Sequence, residues 1–413
     1  VAPLMAATVH VWFDTTEGDN FFTIEHPTLG RLDTGGVLAG DIATDITAFV
    51  AGYSIVRGRS SELDDIDPGT CNLELLNHDG RFLPDAFAGG TAGPYGVGNV
   101  APGRRIEVAE DGHTVFAGWT GDLTLGYRPG DESASWDAAD SLAGLPSFSE
   151  WTATAGQRPG ERLAAVLDRP EVDWGPNRNL DAGVNTLQGD FVSWGSSVLN
   201  YCQLVAGSDL GRFFASRADT LTFRDRLSVA AAAPKVRFAD DGTGVGFAGA
   251  GLRYGWRWLF SDVSVDREGG VAQTVTVQAT RDRFNTRRRL DVGPLLLDSD
   301  AASADMAEFL SGIYSQPRPE FESLAVTVDD GDPVAAAAVN LCDIGDVVEV
   351  AWTPRGAPGQ ISERFVVEGI SSARRAGEPR SVTFKVSPVF QQALFTIGDP
   401  VLGRLDTGGV LAY

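Results

Sequence analysis

The sequence predicts a mainly β protein carrying a smaller α+β insert. Gly (49) and Pro (21) are abundant among the 413 residues, which favours many turns between short strands over long helices. Segments rich in β-branched and aromatic residues dominate the first 140 residues and return after residue 323, while helical spacing is confined to a few stretches between them. Hydrophobic residues make up 43% and charged residues 22%, an ordinary globular balance at a length that supports two to four domains with their own cores.

The first division, residues 1–140, reads as strands at Phe49–Arg57, Gly69–Leu76, Arg105–Ala109 and Val115–Tyr127. Asn77-His78-Asp79-Gly80 closes one strand with a turn, and Asp111-Gly112 between two strands is a strong hairpin signal. In the second, residues 141–230, Gly160–Leu167 places Leu163, Val166 and Leu167 at helical spacing, and Val198–Val205 does the same with Val198, Leu199, Cys202 and Val205. Gly211–Ser216 and Thr220–Arg224 form a hairpin with Ala218-Asp219 at its tip, and Ala230–Pro234 reads as a linker. The third, residues 231–322, has expected strands at Leu252–Leu259 and Thr274–Ala279, then the most helical stretch of the chain, Ala301–Tyr314. There Met306, Phe309, Leu310 and Ile313 share a face, and Pro317 and Pro319 end the helix. The fourth, residues 323–413, is β again at Leu324–Val328, Asp346–Trp352, Arg364–Ile370 and Ser381–Val386, with Gly345-Asp346 as a turn.

The net charge of -23 is spread along the chain. That opposes sequence-specific nucleic-acid binding, which needs a clustered basic footprint, and stable association with anionic membranes. Cys71, Cys202 and Cys342 are far apart and odd in number, so buried free thiols are expected in place of a disulfide framework or zinc site. No basic-plus-apolar leader and no apolar run of about 18 residues occurs. The expectation is a soluble chain without an export signal.

A repeat joins the two ends of the sequence. Phe22–Ala39 reads FTIEHPTLGRLDTGGVLA and Phe395–Ala412 reads FTIGDPVLGRLDTGGVLA, identical at fifteen of eighteen positions and separated by 373 residues. Each copy contains Asp-Thr-Gly (Asp33-Thr34-Gly35 and Asp406-Thr407-Gly408), a triad that also marks aspartic proteases with paired carboxylates. The second Asp lies seven residues from the end of the sequence, and Gly36 and Gly409 replace the usual Ser or Thr, so a turn in a repeated binding segment is the better reading. Gly244-Val245-Gly246-Phe247-Ala248-Gly249 fits G-x-G-x-x-G, but Asp240-Asp241-Gly242 precedes it and a Trp-rich strand follows, which makes it a loop and not a dinucleotide site.

His10, His26, His78 and His113 form no metal-spaced pair, and Asp64-Asp65-Ile66-Asp67 lacks the spacing and closing Glu of a calcium loop. Arg287-Arg288-Arg289 reads as an intersubunit ion-pair site or a solvated strand face. No nucleophile is paired with a base at a recognisable spacing. The expectation is therefore no catalytic residue, no cofactor and no metal: a protein that is not an enzyme.

The run from Tyr53 through Arg57-Gly58-Arg59-Ser60-Ser61-Glu62-Leu63 to Pro68-Gly69-Thr70, then Asn72–Pro84, Pro102-Gly103-Arg104-Arg105 and Phe116-Ala117-Gly118-Trp119, resembles the N-terminal domain of minor tail proteins of siphophages and prophages of actinobacteria. Arg158–Arg162, Gly211–Phe214 and Leu221–Arg226 resemble the following domain, and Gly398–Asp406 is similar to their closing segment. The resemblance implies a tail-associated, baseplate-hub-like fold with two tail-tube-type β-barrels and inserted domains, in which three chains close a ring. It implies a virion protein of the tail tip, assembled in the host cytoplasm, whose partners are itself (homotrimer, or hexamer), distal tail and tail tube proteins, the tape measure protein and other tail tip proteins. DNA passes through the channel without being bound.

On that reading the repeats supply candidate assembly residues: Leu29, Arg31, Leu32 and Asp33 in one copy and Leu402, Arg404, Leu405 and Asp406 in the other. Two other readings remain: a hexameric distal tail ring, and a receptor- or glycan-binding tail protein whose nine Trp residues stack on sugars.

Overall fold

The structure, a computed structural model, describes residues 7–14, 41–88, 93–96, 98–128, 131–175, 177–329, 331–356 and 358–389. Its first part is an antiparallel sheet of β1 (Ala7–Asp14), β2 (Asp41–Asp45), β3 (Val50–Gly58), β4 (Asp67–Leu76), β5 (Arg105–Glu110), β6 (His113–Arg128) and β7 (Asp131–Ala139), with a one-turn helix α1 (Asp85–Ala88) in the β4–β5 connection. The order across the sheet is β3-β4-β7-β6-β5-β1-β2. Strand alternation turns Val9, Val11, Ile55, Leu73, Val108 and Trp136 to one side, where the sheet curls around them. The expected hairpin is present, with Asp111 (φ 49°) and Gly112 (φ 76°) both left-handed as a tight two-residue turn requires. β7 went unread because Asp131–Ala139 (DESASWDAA) lacks a β-branched run; hydrogen bonding to β4 and β6 on both sides holds it extended.

The α+β insert contains β8 (Trp151–Ala153), α2 (Pro159–Leu167), β9 (Arg178–Leu180), β10 (Asp190–Val192), α3 (Val198–Gly207), β11 (Arg212–Ala215), β12 (Leu221–Arg224) and α4 (Arg226–Ala231). Pro159 starts α2 with its ring where no backbone N–H is needed, and Glu161 accepts from the Arg158 N–H at 2.9 Å. Ser197 caps α3 by accepting from the Asn200 N–H. Leu163, Val166 and Leu167 pack with Cys202 and Val205 against the β11–β12 hairpin, whose tip holds Asp219 at φ 60°.

Residues 231–322, read as one division, contribute to two different cores. β13 (Val236–Ala239) and β14 (Gly249–Tyr254) join the C-terminal sheet. Then β15 (Asp262–Arg267), β16 (Gln273–Thr276), α5 (Gln278–Phe284), β17 (Arg289–Leu295) and α6 (Asp300–Tyr314) form a small α/β unit around Val263, Val265, Met306 and Leu310. Two expected strands are shorter than read. Leu252–Leu259 stops at Tyr254, where Gly255 bends the chain and Trp256 to Trp258 turn. Thr274–Ala279 stops at Thr276, because Gln278 and Ala279 begin α5. Of the expected α6 face, Met306 and Leu310 are buried, while Phe309 and Ile313 are only partly covered.

The C-terminal half adds β18 (Pro319–Val328), α7 (Pro333–Leu341), β19 (Val347–Trp352), β20 (Ile361–Arg375) and β21 (Arg380–Pro388). Here the order is β14-β18-β21-β20, with β19 on the other side of the first part of β20 and β13 parallel to β19. Phe238, Leu324, Val350, Val367, Val382 and Phe384 fill this half, covered by Ala335, Ala336 and Val339 of α7.

β20 is the strand both halves share. Its second part pairs with β21 on one side and with β3 on the other, from Gly369↔Gly58 to Arg375↔Gly52. A single thirteen-stranded sheet therefore runs through the molecule, with one apolar fill in each half. The register Ile55↔Ser372, beside Ile370 on the C-terminal fill, puts both fills on the same face of that sheet. The fold is mainly β with an α+β insert and two barrel-like halves, as expected.

Candidate assembly interface

The candidate residues of the terminal repeats, Leu29, Arg31, Leu32, Asp33, Leu402, Arg404, Leu405 and Asp406, lie outside the described residues, as do both Asp-Thr-Gly triads and His26. What the structure does display is the cement between its parts and the edges of its sheet.

Where the two apolar fills meet, the partition is polar. The Tyr53 hydroxyl donates to Glu110, Arg374 donates to the other Glu110 oxygen at 2.9 Å, and Asn340 Nδ2 donates to the Glu110 carbonyl at 3.1 Å. Arg380 donates to Asn340 and, at 2.8 Å, to Ser372 Oγ. All six side chains are buried. A buried charge is tolerated only when paired and hydrogen-bonded, and here the partners come from opposite halves.

A second cluster centres on Glu368, 1% exposed. Arg212 of the insert grips both of its oxygens, Arg59 of the N-terminal half donates at 2.8 Å, and Ser387 Oγ donates as well. Burial alone would push this carboxyl up, but Arg212 and Arg59 outweigh it and hold the group well below the usual carboxylate range. Arg57 reaches Asp343 at 2.9 Å and the Ala215 carbonyl at 2.7 Å. Glu62 accepts from Tyr314 at 2.8 Å and from Arg318, tying the small α/β unit to the N-terminal half; burial raises its carboxyl above the ordinary value. Asp140 accepts from the Gly69 and Leu142 N–H groups, and burial pushes it up to about 7.

Sequence reasoning missed this cement because its members are single charges scattered over 300 residues of chain. A signal existed for one of them: Glu368 follows Phe365-Val366-Val367 and so interrupts an apolar strand run.

Among the described residues, β2 pairs only with β1, β14 only with β18 and, on the branch through β19, β13 only with β19, so these three are the terminal strands of the sheet. β14 is exposed at all six positions, with Leu252 at 51% and Tyr254 at 69%, and Trp256 beyond it at 55%. Phe191 and Trp194 on the insert are also exposed.

No group of three or more metal-ligating side chains occurs among the described residues. Two cavities are small, about 20 and 40 Å³, the second lined by Glu62, Trp258 and Arg318 between the α/β unit and the sheet. The three thiols are free and buried. Gly244 to Ala248 lies in the β13–β14 connection and Gly249 opens β14, with Val245 bridging back to Phe238 and no helix after it, as a loop reading requires. Arg288 stacks over the Phe260 ring at 4.8 Å and Arg289 pairs with Asp291, so these two members of the run have partners within their own unit.

No family profile matches the sequence, and no curated protein matches it. Solved structures do. The tail protein from Neisseria meningitidis MC58 aligns at a TM-score of 0.57 with 14% identity, over 92% of this chain and 95% of that one. The 43 kDa tail protein of prophage MuSo2 from Shewanella oneidensis aligns at 0.56 with 14% identity, over 93% and 98%. Nearly the whole length of each chain takes part, so over its described residues the chain shares the fold of these phage-type tail proteins.

Proposed function

We propose that the chain is a structural component of a bacteriophage tail tip: a hub or adaptor ring that joins the tail tube to the distal tip and surrounds the DNA channel. The observation that carries this reading is the pair of barrel-like halves on one continuous sheet. Three such chains present six similar barrel surfaces and so match a six-fold tube by shape. The solved tail proteins of the same fold support it, and the net charge of -23 suits a bore that DNA crosses without sticking. No helix among the described residues is long and apolar enough to cross a membrane.

The partners on this reading are further copies of the chain, the distal tail and tail tube proteins, the tape measure protein and other tip proteins, and the location is the virion. The terminal repeats, through Leu29, Arg31, Leu32, Asp33 and their counterparts Leu402, Arg404, Leu405 and Asp406, are proposed docking segments, six per trimer.

Electron microscopy of the purified protein tests the ring: three chains with a six-fold outline are expected. Six chains per ring would favour a distal tail ring instead. Deleting Phe395–Tyr413 should leave the subunit folded and block joining to tails; normal joining by that truncation would remove the docking role.

A further inference from the structure

We propose that the cavity where the two halves meet the insert is an anion site: it takes one small monovalent anion, chloride or bromide in size, between Arg380 of β21, Arg217 of the β11–β12 turn and Arg57 of β3. The inference goes beyond the tail-tip reading and does not rest on it.

Guanidiniums outnumber their carboxylate partners around this cavity. One oxygen of Glu110 accepts from Tyr53 and the other from Arg374. Asp343 holds Arg57 at 2.9 Å with one oxygen and accepts the Arg217 backbone N–H at 2.9 Å with the other. Two guanidiniums are left over. Arg380 is 3% exposed, and its hydrogen bonds go to neutral acceptors, Ser372 Oγ and Asn340 Oδ1. Arg217 has its Nη1 buried without a hydrogen-bond partner. Among the described residues neither side chain forms an ion pair. Asp140 and Asp219, which lie toward Arg57, are engaged by the Gly69 and Leu142 N–H groups and by Ser141. The Cys342 thiol also lines the cavity, but burial pushes it up to about 12, so it supplies no negative charge. Taking a guanidinium out of water without a counter-charge is strongly unfavourable, and a bound anion removes that cost.

Size and lining select the anion. The cavity of about 20 Å³ has room for one water-sized sphere or one slightly larger, and none for sulfate, phosphate or a carboxylate-bearing molecule. Ile55, Val115, Val339, Ile370 and Val382 supply apolar walls, within which attraction to a guanidinium is stronger than in water. A neutral water would satisfy a donor but leave both charges standing. Arg217 and Val115 are only partly buried, so the ion has a route from solvent that needs no unfolding. The three guanidiniums come from the N-terminal half, the insert and the C-terminal half, so one bound ion ties all three together.

Thermal unfolding of the full-length protein at neutral pH and constant ionic strength tests the site, with sodium chloride or bromide replacing sodium gluconate, whose anion is too large to enter. The midpoint should rise with the logarithm of halide concentration, as binding to the folded state alone requires. Arg217→Gln, at a partly exposed position, should raise the halide concentration needed by about tenfold, the worth of one charge-assisted hydrogen bond. Arg380→Gln should abolish the dependence; if that variant does not fold, Arg217→Gln carries the comparison. Crystals grown in sodium bromide give the direct view, an anomalous peak within hydrogen-bonding distance of Arg380 and Arg217. Equal midpoints in chloride and gluconate would overturn the site. So would an unchanged halide response in Arg217→Gln, or a water alone in the cavity of bromide-grown crystals. None of these outcomes touches the ring reading, which micrographs decide separately.

Discussion

Glu368 shows how much one side chain can carry when three parts of a molecule share it. Its carboxylate balances Arg212 from the insert and Arg59 from the N-terminal half. Glu368→Gln keeps the shape but leaves two cations short of a counter-charge in a site almost free of solvent, which costs about 3–5 kcal/mol; urea unfolding at pH 7 measures it. Because the folded carboxyl lies below its ordinary value, its contribution is present above the unfolded value and is lost as pH falls through the folded one. The acid limb of stability against pH should therefore be shallower in the variant. Asp140 behaves in the opposite sense. Burial raises it to about 7, so its contribution is present below the unfolded carboxylate value and lost as pH rises through 7. Asp140→Asn should gain on the parent as pH rises from about 4 to about 7, whatever its offset from lost acceptor geometry. A difference that stays flat over that window would contradict the assignment. The charge inside the apolar run marked Glu368 itself, but its partners were not legible in the sequence, since Arg59 and Arg212 lie far along the chain from it.

Strands announced themselves where alternation was strong, as in β3, β4, β6 and β21, and turn chemistry fixed the Asp111-Gly112 hairpin. They stayed silent where neighbours impose the conformation. β7 is read as a strand only from its place between β4 and β6, and Trp136, fully buried, is its anchor; Trp136→Ala should cost about 3–5 kcal/mol by the cavity it leaves. α7 was overlooked in an Ala-rich run, although Asp332 caps the Ala335 N–H at 2.9 Å and Pro333 occupies the first turn, both visible helix-start signals. At the crossing of β3 and β20, Gly58 takes φ +88°, and a Cβ there would stand 2.3 Å from the Glu368 carbonyl oxygen. Gly58→Ala should destabilise by more than about 1 kcal/mol, since both the backbone region and the close approach oppose it. Thermal unfolding of the variant checks this. The terminal repeats, the loudest motif in the sequence, lie outside the described residues.

Each half has its own fill, but the halves share β20 and a buried polar partition. Such coupling predicts that they unfold together. The thiols report this directly, because Cys71 lies in the N-terminal fill, Cys342 in the C-terminal fill and Cys202 in the insert. Burial raises all three thiols, so the native protein should resist alkylation. With increasing urea, Cys71 and Cys342 should become reactive at one midpoint; separated midpoints would mean that the halves are independent. The chain's overall class and most of its strands could be read from residue pattern, whereas the continuity of the sheet depends on a long-range pairing, β3 with β20, that no local signal encodes.

The polar partition also constrains inheritance. Tyr53 and Glu110 precede the insert, Arg212 lies within it, and Asn340, Glu368, Arg374 and Arg380 follow it. A genetic exchange that replaced one half and kept the other would strand a carboxylate or a guanidinium away from water. The halves are therefore bound to change in concert, and a mosaic gene with its crossover inside the insert should encode a protein that fails to fold unless these partners travel together.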